Sequence, residues 1–108
     1  MTDSAIGHAL QALKRVLREK IDPNTEITLF GSAARGDFQP DSDIDVLVLL
    51  PFEPDHKLEE TIFDLAYEIE LQDDVVFGIL VHSKEFWNSS LARVMPIHRR
   101  IATEGVAI

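Results

Sequence analysis

The stretch Gly31-Ser32-Ala33-Ala34-Arg35-Gly36-Asp37-Phe38-Gln39-Pro40-Asp41-Ser42-Asp43-Ile44-Asp45-Val46-Leu47-Val48 decides how the rest of the chain is read. It carries the end of one short strand into the start of another through a small, polar loop. Ile27 to Phe30 reads as the first strand, ending at Gly31. Ile44 to Leu50 reads as the second, and its run Val46-Leu47-Val48-Leu49-Leu50 predicts burial on both faces. Between them, Ser32-Ala33-Ala34-Arg35 fits a single helical turn opening directly after the strand. Gly36 then permits the return.

Outward from this stretch the pattern alternates. Upstream, Ile6, Ala9, Leu10, Leu13, Val16 and Leu17 recur at three- and four-residue spacing, which predicts a helix. Lys14, Arg15, Arg18 and Lys20 gather toward its end, where cations suit the macrodipole, and Asp22-Pro23-Asn24 stops it. Downstream, Pro51 and Pro54 end the second strand. Asp55 is placed to cap a helix running to about Leu71, with Leu58, Ile62, Leu65, Ala66 and Ile69 on one stripe. Val75 to Val81 reads as a third strand. Ser83 fits the N-cap of a helix containing Phe86, Trp87 and Leu91. Pro96 breaks or restarts that helix, Ile97 and Ile101 share a face, and Gly105 closes the last helix as a C′ residue. The order makes an α/β domain (α+β by some schemes). A helical crossover between the second and third strands predicts that they pair in parallel.

Length and composition bound the function. The chain has 108 residues, so residues 1–108 are expected to form one domain. Nineteen acidic against ten basic residues give a net charge of −9, and there is no cysteine. Disulfides, thiolate zinc sites and cysteine nucleophiles are therefore excluded. The acidic balance argues against an extended nucleic-acid surface, because few cations are available to replace condensed counterions. No signal peptide is visible from Met1-Thr2-Asp3-Ser4, and the longest apolar run, Ile44 to Phe52, is too short to span a membrane. A cytoplasmic location fits.

Chemistry concentrates in the opening stretch. Asp43 and Asp45 are two residues apart at a strand start and project from one face. Aspartate is depleted in strands, and a like-charged pair on an otherwise apolar strand costs energy unless a cation lies between them. Hard carboxylate ligands beside phosphate oxygens suit Mg²⁺. Gly31 lets a phosphate approach the backbone, Ser32 offers a hydroxyl and an N–H, and Arg35 adds charge one turn on. Taken singly, each piece has an ordinary structural reading: a turn, a solvated strand edge, a surface cation. Taken together, across one short loop, they are the equipment for in-line displacement at a nucleotide phosphate.

The order Gly-Ser, Arg-Gly, Ser-Asp-x-Asp and then an apolar strand resembles the DNA polymerase β-like nucleotidyltransferase superfamily, and the small size is most similar to its minimal nucleotidyltransferases of the MNT or MntA type. The resemblance implies a nucleotidyltransferase-like fold, a small mixed β-sheet with helices packed on it. It implies that Gly31 and Ser32 hold the triphosphate and that Asp43 and Asp45 are both metal ligands and catalytic. The reaction it implies is transfer of AMP from ATP to an acceptor hydroxyl, with Mg²⁺ and release of pyrophosphate. Proteins of this kind are often antitoxins that bind and modify a HEPN-domain ribonuclease toxin, so a protein partner and a homo- or hetero-oligomer are expected. One departure stands out. Active members usually carry a third carboxylate in the strand after the crossover helix, where this chain has Phe77 and Gly78. Asp74, at that strand's entrance, is a substitute from one end, or else a solvated helix terminus. The gap keeps a second hypothesis open, a binding module that neutralises its partner by occlusion.

The remaining polar and aromatic residues read as structural. His8, His56, His82 and His98 have no metal-ligand spacing. Phe86 and Trp87 are expected to pack onto the sheet. Arg93, Arg99 and Arg100 form a basic cluster that is either a solvated helical face or a contact for an acidic surface or a phosphate.

Overall fold

A computed structural model describes residues 3–108. Met1 and Thr2, part of the start where no leader is read, lie outside the described residues. Helix α1 (Asp3–Lys20) buries Ile6, Ala9, Leu10, Leu13 and Leu17, the face its spacing predicts. The stop after it is an Asx turn, in which the Asn24 N–H donates to Oδ1 of Asp22 at 2.8 Å. Strand β1 (Glu26–Phe30) pairs antiparallel with β2 (Ile44–Leu50), and the one-turn helix α2 (Ser32–Arg35) opens the connection between them. Helix α3 (His56–Asp73), capped by Oδ1 of Asp55 accepting from the Leu58 N–H at 2.8 Å, crosses over to β3 (Phe77–Ser83). As predicted, β3 pairs with β2 in parallel.

Two boundaries and one cap conformation depart from the sequence reading. Strand β3 begins at Phe77 rather than Val75. Asp74 closes α3 in the left-handed region (φ 54°), and the Val75 N–H still bonds the Glu70 carbonyl, so the chain leaves the helix later than its apolar run suggests. The helix expected after Ser83 is two short ones, α4 (Lys84–Trp87) and α5 (Ser90–Arg93), because Ser89 supplies a second N-cap by accepting from the Ala92 N–H. Helix α6 (Pro96–Glu104) does end at Gly105, but at φ −67° and not in a left-handed C′ conformation. The demand there is for space: a Cβ on Gly105 would lie 2.5 Å from the Ile101 carbonyl oxygen and 2.8 Å from Cγ2 of Thr28. That close approach lets Val106–Ala107 form β4, an unpredicted strand that completes the sheet order β3-β2-β1-β4.

The sheet is covered on both faces. Ile44, Val46, Val48 and Leu50 point into the larger core with α1 and α3. Leu47 and Leu49 point the other way, against Phe30, Trp87 and Ile101. Trp87 is 8% exposed, which settles its packing role. Among the described residues, no helix is long and apolar enough to cross a membrane.

Candidate functional site

Asp45 is the second residue of β2 and sits in register between Phe30 of β1 and Gly78 of β3. Strand alternation puts it, with Asp43 just before the strand, on the Leu47 and Leu49 face, beneath α6. Two glycines flank it. A Cβ on Gly31 would overlap Oδ2 of Asp45, and one on Gly78 would lie 2.6 Å from Oδ1 of Asp45 and 3.8 Å from Cβ of Asp43. Both side chains therefore flank Gly78, and the Asp45 carboxylate fills room that Gly31 and Gly78 leave by having no side chain. Gly31 also takes φ 76°, which favours glycine and turns the chain from β1 into α2.

A cleft of about 430 Å³ gathers Gly31, Ser32, Arg35, Asp43 and Asp45, together with Asp41, Ser42 and Arg100. All five residues singled out from the sequence thus line one concavity. Clefts of similar size lie elsewhere, about 450 Å³ beside Phe52 and Phe86 and about 480 Å³ beside Val94 and Pro96, but neither is lined by a strand carboxylate set between two glycines. Chemistry rather than volume distinguishes the site.

Its electrostatics are strained toward a cation. Burial, followed by the like charge of Asp43, holds the Asp45 carboxyl above the usual carboxylate range, while Arg100 and Arg35 pull it partly back. Two hard carboxylates, one of them half-buried, fit Mg²⁺, which takes one or two protein carboxylates and completes its shell with water and phosphate oxygens. Among the described residues, no group of three His, Cys, Asp or Glu is placed to enclose a metal alone.

Sequence reading missed what α6 adds. Oε1 of Glu104 accepts from the Gly31 N–H at 3.0 Å, and Nη1 of Arg35 donates to both Glu104 oxygens at 3.3 Å. Nη2 of Arg100 lies 3.8 Å from Oε1. The Gly31 N–H is the main reason the Glu104 carboxyl is held below its usual range, and the bond to Glu104 is the main reason Arg35 is raised. The available signals were the Arg99-Arg100 pair and the four-residue spacing from Arg100 to Glu104.

Asp74 is not at the strand entrance. It caps the end of α3 and lines a neighbouring cleft, which meets the site's cleft at Asp41 and Ser42. Nor is there space for an acid at Gly78 without moving Asp45. All four histidines are in local contacts: His8 bonds Asp73 at 2.8 Å, His98 bonds the Trp87 carbonyl at 2.9 Å, His82 stacks on Trp87, and Nε2 of His56 lies 3.6 Å from Glu60.

The model of the nucleotidyltransferase domain family matches residues 10–101. Two proteins of Methanocaldococcus jannaschii, each named as a candidate protein adenylyltransferase, are similar to this chain. One is 34% identical over 103 residues, covering 95% of this chain and 93% of its own length. The other is 32% identical over 82 residues, covering 76% and 80%. Among solved structures, a variant of the MntA–HpeT toxin–antitoxin pair superposes with a TM-score of 0.59 at 23% identity, over 92% of this chain and 70% of that one. A toxin–antitoxin structure with AMP-PNP gives 0.58 at 22% identity, over 99% and 72%. At these identities the structural likeness is one of fold.

Proposed function

The chain belongs to the nucleotidyltransferase domain family, and from that premise we propose that it transfers AMP from ATP to a hydroxyl of a partner protein, as the antitoxin of a toxin–antitoxin pair. The observation that carries this reading is that Asp43 and Asp45, side by side at Gly78, line the same cleft as Gly31, Ser32, Arg35 and Arg100. In the proposed reaction the acceptor oxygen bonds the α-phosphorus, the α–β anhydride bond breaks, pyrophosphate leaves and the hydroxyl proton is released. Asp43 and Asp45 would hold Mg²⁺, which when bound offsets the charge of the phosphate oxygens. Gly31, Ser32 and Arg35 orient the triphosphate by directional donors, with Arg100 facing them from α6, so the leaving group is held in place.

The partner proposed is a HEPN-type ribonuclease toxin. Its supports are the protein-adenylyltransferase names of the two archaeal relatives and the toxin–antitoxin structures that share the fold. Phe63, Tyr67 and Leu71, at four-residue spacing on α3, are 45%, 57% and 66% exposed, an apolar stripe consistent with a protein contact.

The test is to incubate the protein with ATP, Mg²⁺ and the toxin and to weigh the toxin. A gain equal to AMP is expected, lost in the Asp43→Asn, Asp45→Asn double variant. Continued labelling by that variant excludes the site. A second reading, neutralisation by occlusion, is favoured by the lack of room for an acid at Gly78. Under it the double variant still inhibits the toxin and the wild-type protein adds no mass.

A further inference from the structure

Two of the donors assigned above to the triphosphate, Gly31 and Arg35, already hold an anion. Oε1 of Glu104 receives the Gly31 N–H at 3.0 Å, both its oxygens receive Nη1 of Arg35 at 3.3 Å, and Arg100 stands 3.8 Å away. This carboxylate is not on a loose end. Ile101, one turn earlier, is buried; the Gly105 N–H bonds the Ile101 carbonyl at 2.7 Å; and Val106–Ala107 pair with β1 immediately afterwards. Beyond them, Nζ of Lys14 donates to the Ile108 carbonyl at 2.8 Å, pinning the chain after β4 as well. A backbone N–H has one proton to give, so a phosphate oxygen reaching Gly31 has to replace the carboxylate there. The geometry points to Glu104 as the resident anion of this cradle, a residue that lowers its affinity for polyphosphate and is exchanged for phosphate oxygens on binding. The inference rests on the proposed nucleotide site and deepens it by naming the residue that sets its affinity.

Two consequences distinguish this role from scaffolding. A scaffold at Gly31 needs only an acceptor, which glutamine keeps. A competitor acts through its negative charge, which glutamine lacks and which also opposes the entry of phosphate beside Asp43 and Asp45.

The experiment is calorimetric titration of inorganic tripolyphosphate, and separately of AMP-PNP with Mg²⁺, into wild-type protein and the variants Glu104→Gln, Glu104→Ala and Glu104→Asp. Thermal melts establish that each variant is folded. Tripolyphosphate is expected to bind Glu104→Ala roughly tenfold tighter than wild type, with Glu104→Gln several-fold tighter and Glu104→Asp close to wild type. Equal or weaker binding by Glu104→Gln overturns the inference, as does an absence of tripolyphosphate binding in every form, and the Gln variant decides the matter should the Ala variant not fold. If tripolyphosphate follows the expected order while AMP-PNP binds none of them, the exchange stands and the nucleotide reading fails.

Discussion

On one face of β2, Ile44, Val46, Val48 and Leu50 are fully buried beneath α1 and α3. On the other, Leu47 and Leu49 are covered by Trp87 and Ile101, but Asp45, on that face at the strand's start, is left half-exposed between two glycines. A single strand thus carries a face selected for packing and a face whose cover stops short. The difference teaches where this small domain places its costs. The helices of the first face carry the core, and the short helices of the second leave a polar corner in which like charges are brought together against their electrostatic preference.

Mutations on the two faces should therefore fail in opposite ways. The largest effect is expected from Val46→Asp, which puts an unpaired charge in the closed face; it should cost at least about 4 kcal/mol and abolish the cooperative thermal transition seen by circular dichroism. Asp45→Asn, on the adjacent residue, should reduce nucleotidyl transfer by roughly a hundredfold or more, while raising Tm by about 2–5 °C in metal-free buffer. A lowered Tm for that variant would erase the contrast between the faces. Gly31→Ala combines an unfavourable φ with overlap on Asp45 and should destabilise by about 1–3 kcal/mol in urea unfolding, with activity lost in step as Asp45 shifts.

The smallest effect is in pH. The folded Asp45 carboxyl lies above its unfolded value, so its contribution to stability is fully present below the ordinary carboxylate pKa and is lost as pH rises through the raised folded one. The Tm advantage of Asp45→Asn should accordingly grow between about pH 4 and pH 7. Glu104 has the reverse sign. Its carboxyl is lowered in the fold, so its contribution is present above the unfolded value and is lost as pH falls through the lowered one. Melts of Glu104→Gln across that acidic range should lack this loss.

Much of this was legible in the chain because it is written at short range. The periodicity of α1 and α3, the Asp55 and Ser83 caps, the double-sided run of β2 and the crossover to a parallel β3 all follow from residues a few positions apart. Asp43 and Asp45 were readable for the same reason, since i and i+2 on a strand share a face. What sequence reading lost depends on long-range closure. Two residues of β4 are too few to give a periodic signal, yet they dock the end of α6 beside β1 and so deliver Glu104 to Gly31, 73 positions away. The bareness of Gly31 is legible in the sequence as room for a phosphate, and Gly78 only as the lack of a third acid. In the fold both make room for Asp45, a requirement that only the β1–β2–β3 register exposes.

At the heart of the proposed function, Asp43 just before β2 and Asp45 within it hold a divalent ion facing a phosphate cradle at the end of β1. A crystal structure with AMP-PNP and Mn²⁺ tests it most directly. The account predicts an anomalous peak bridging the carboxylates of Asp43 and Asp45, with phosphate oxygens against Gly31, Ser32 and Arg35. A peak elsewhere on the surface, or a triphosphate lying outside that cleft, would contradict it.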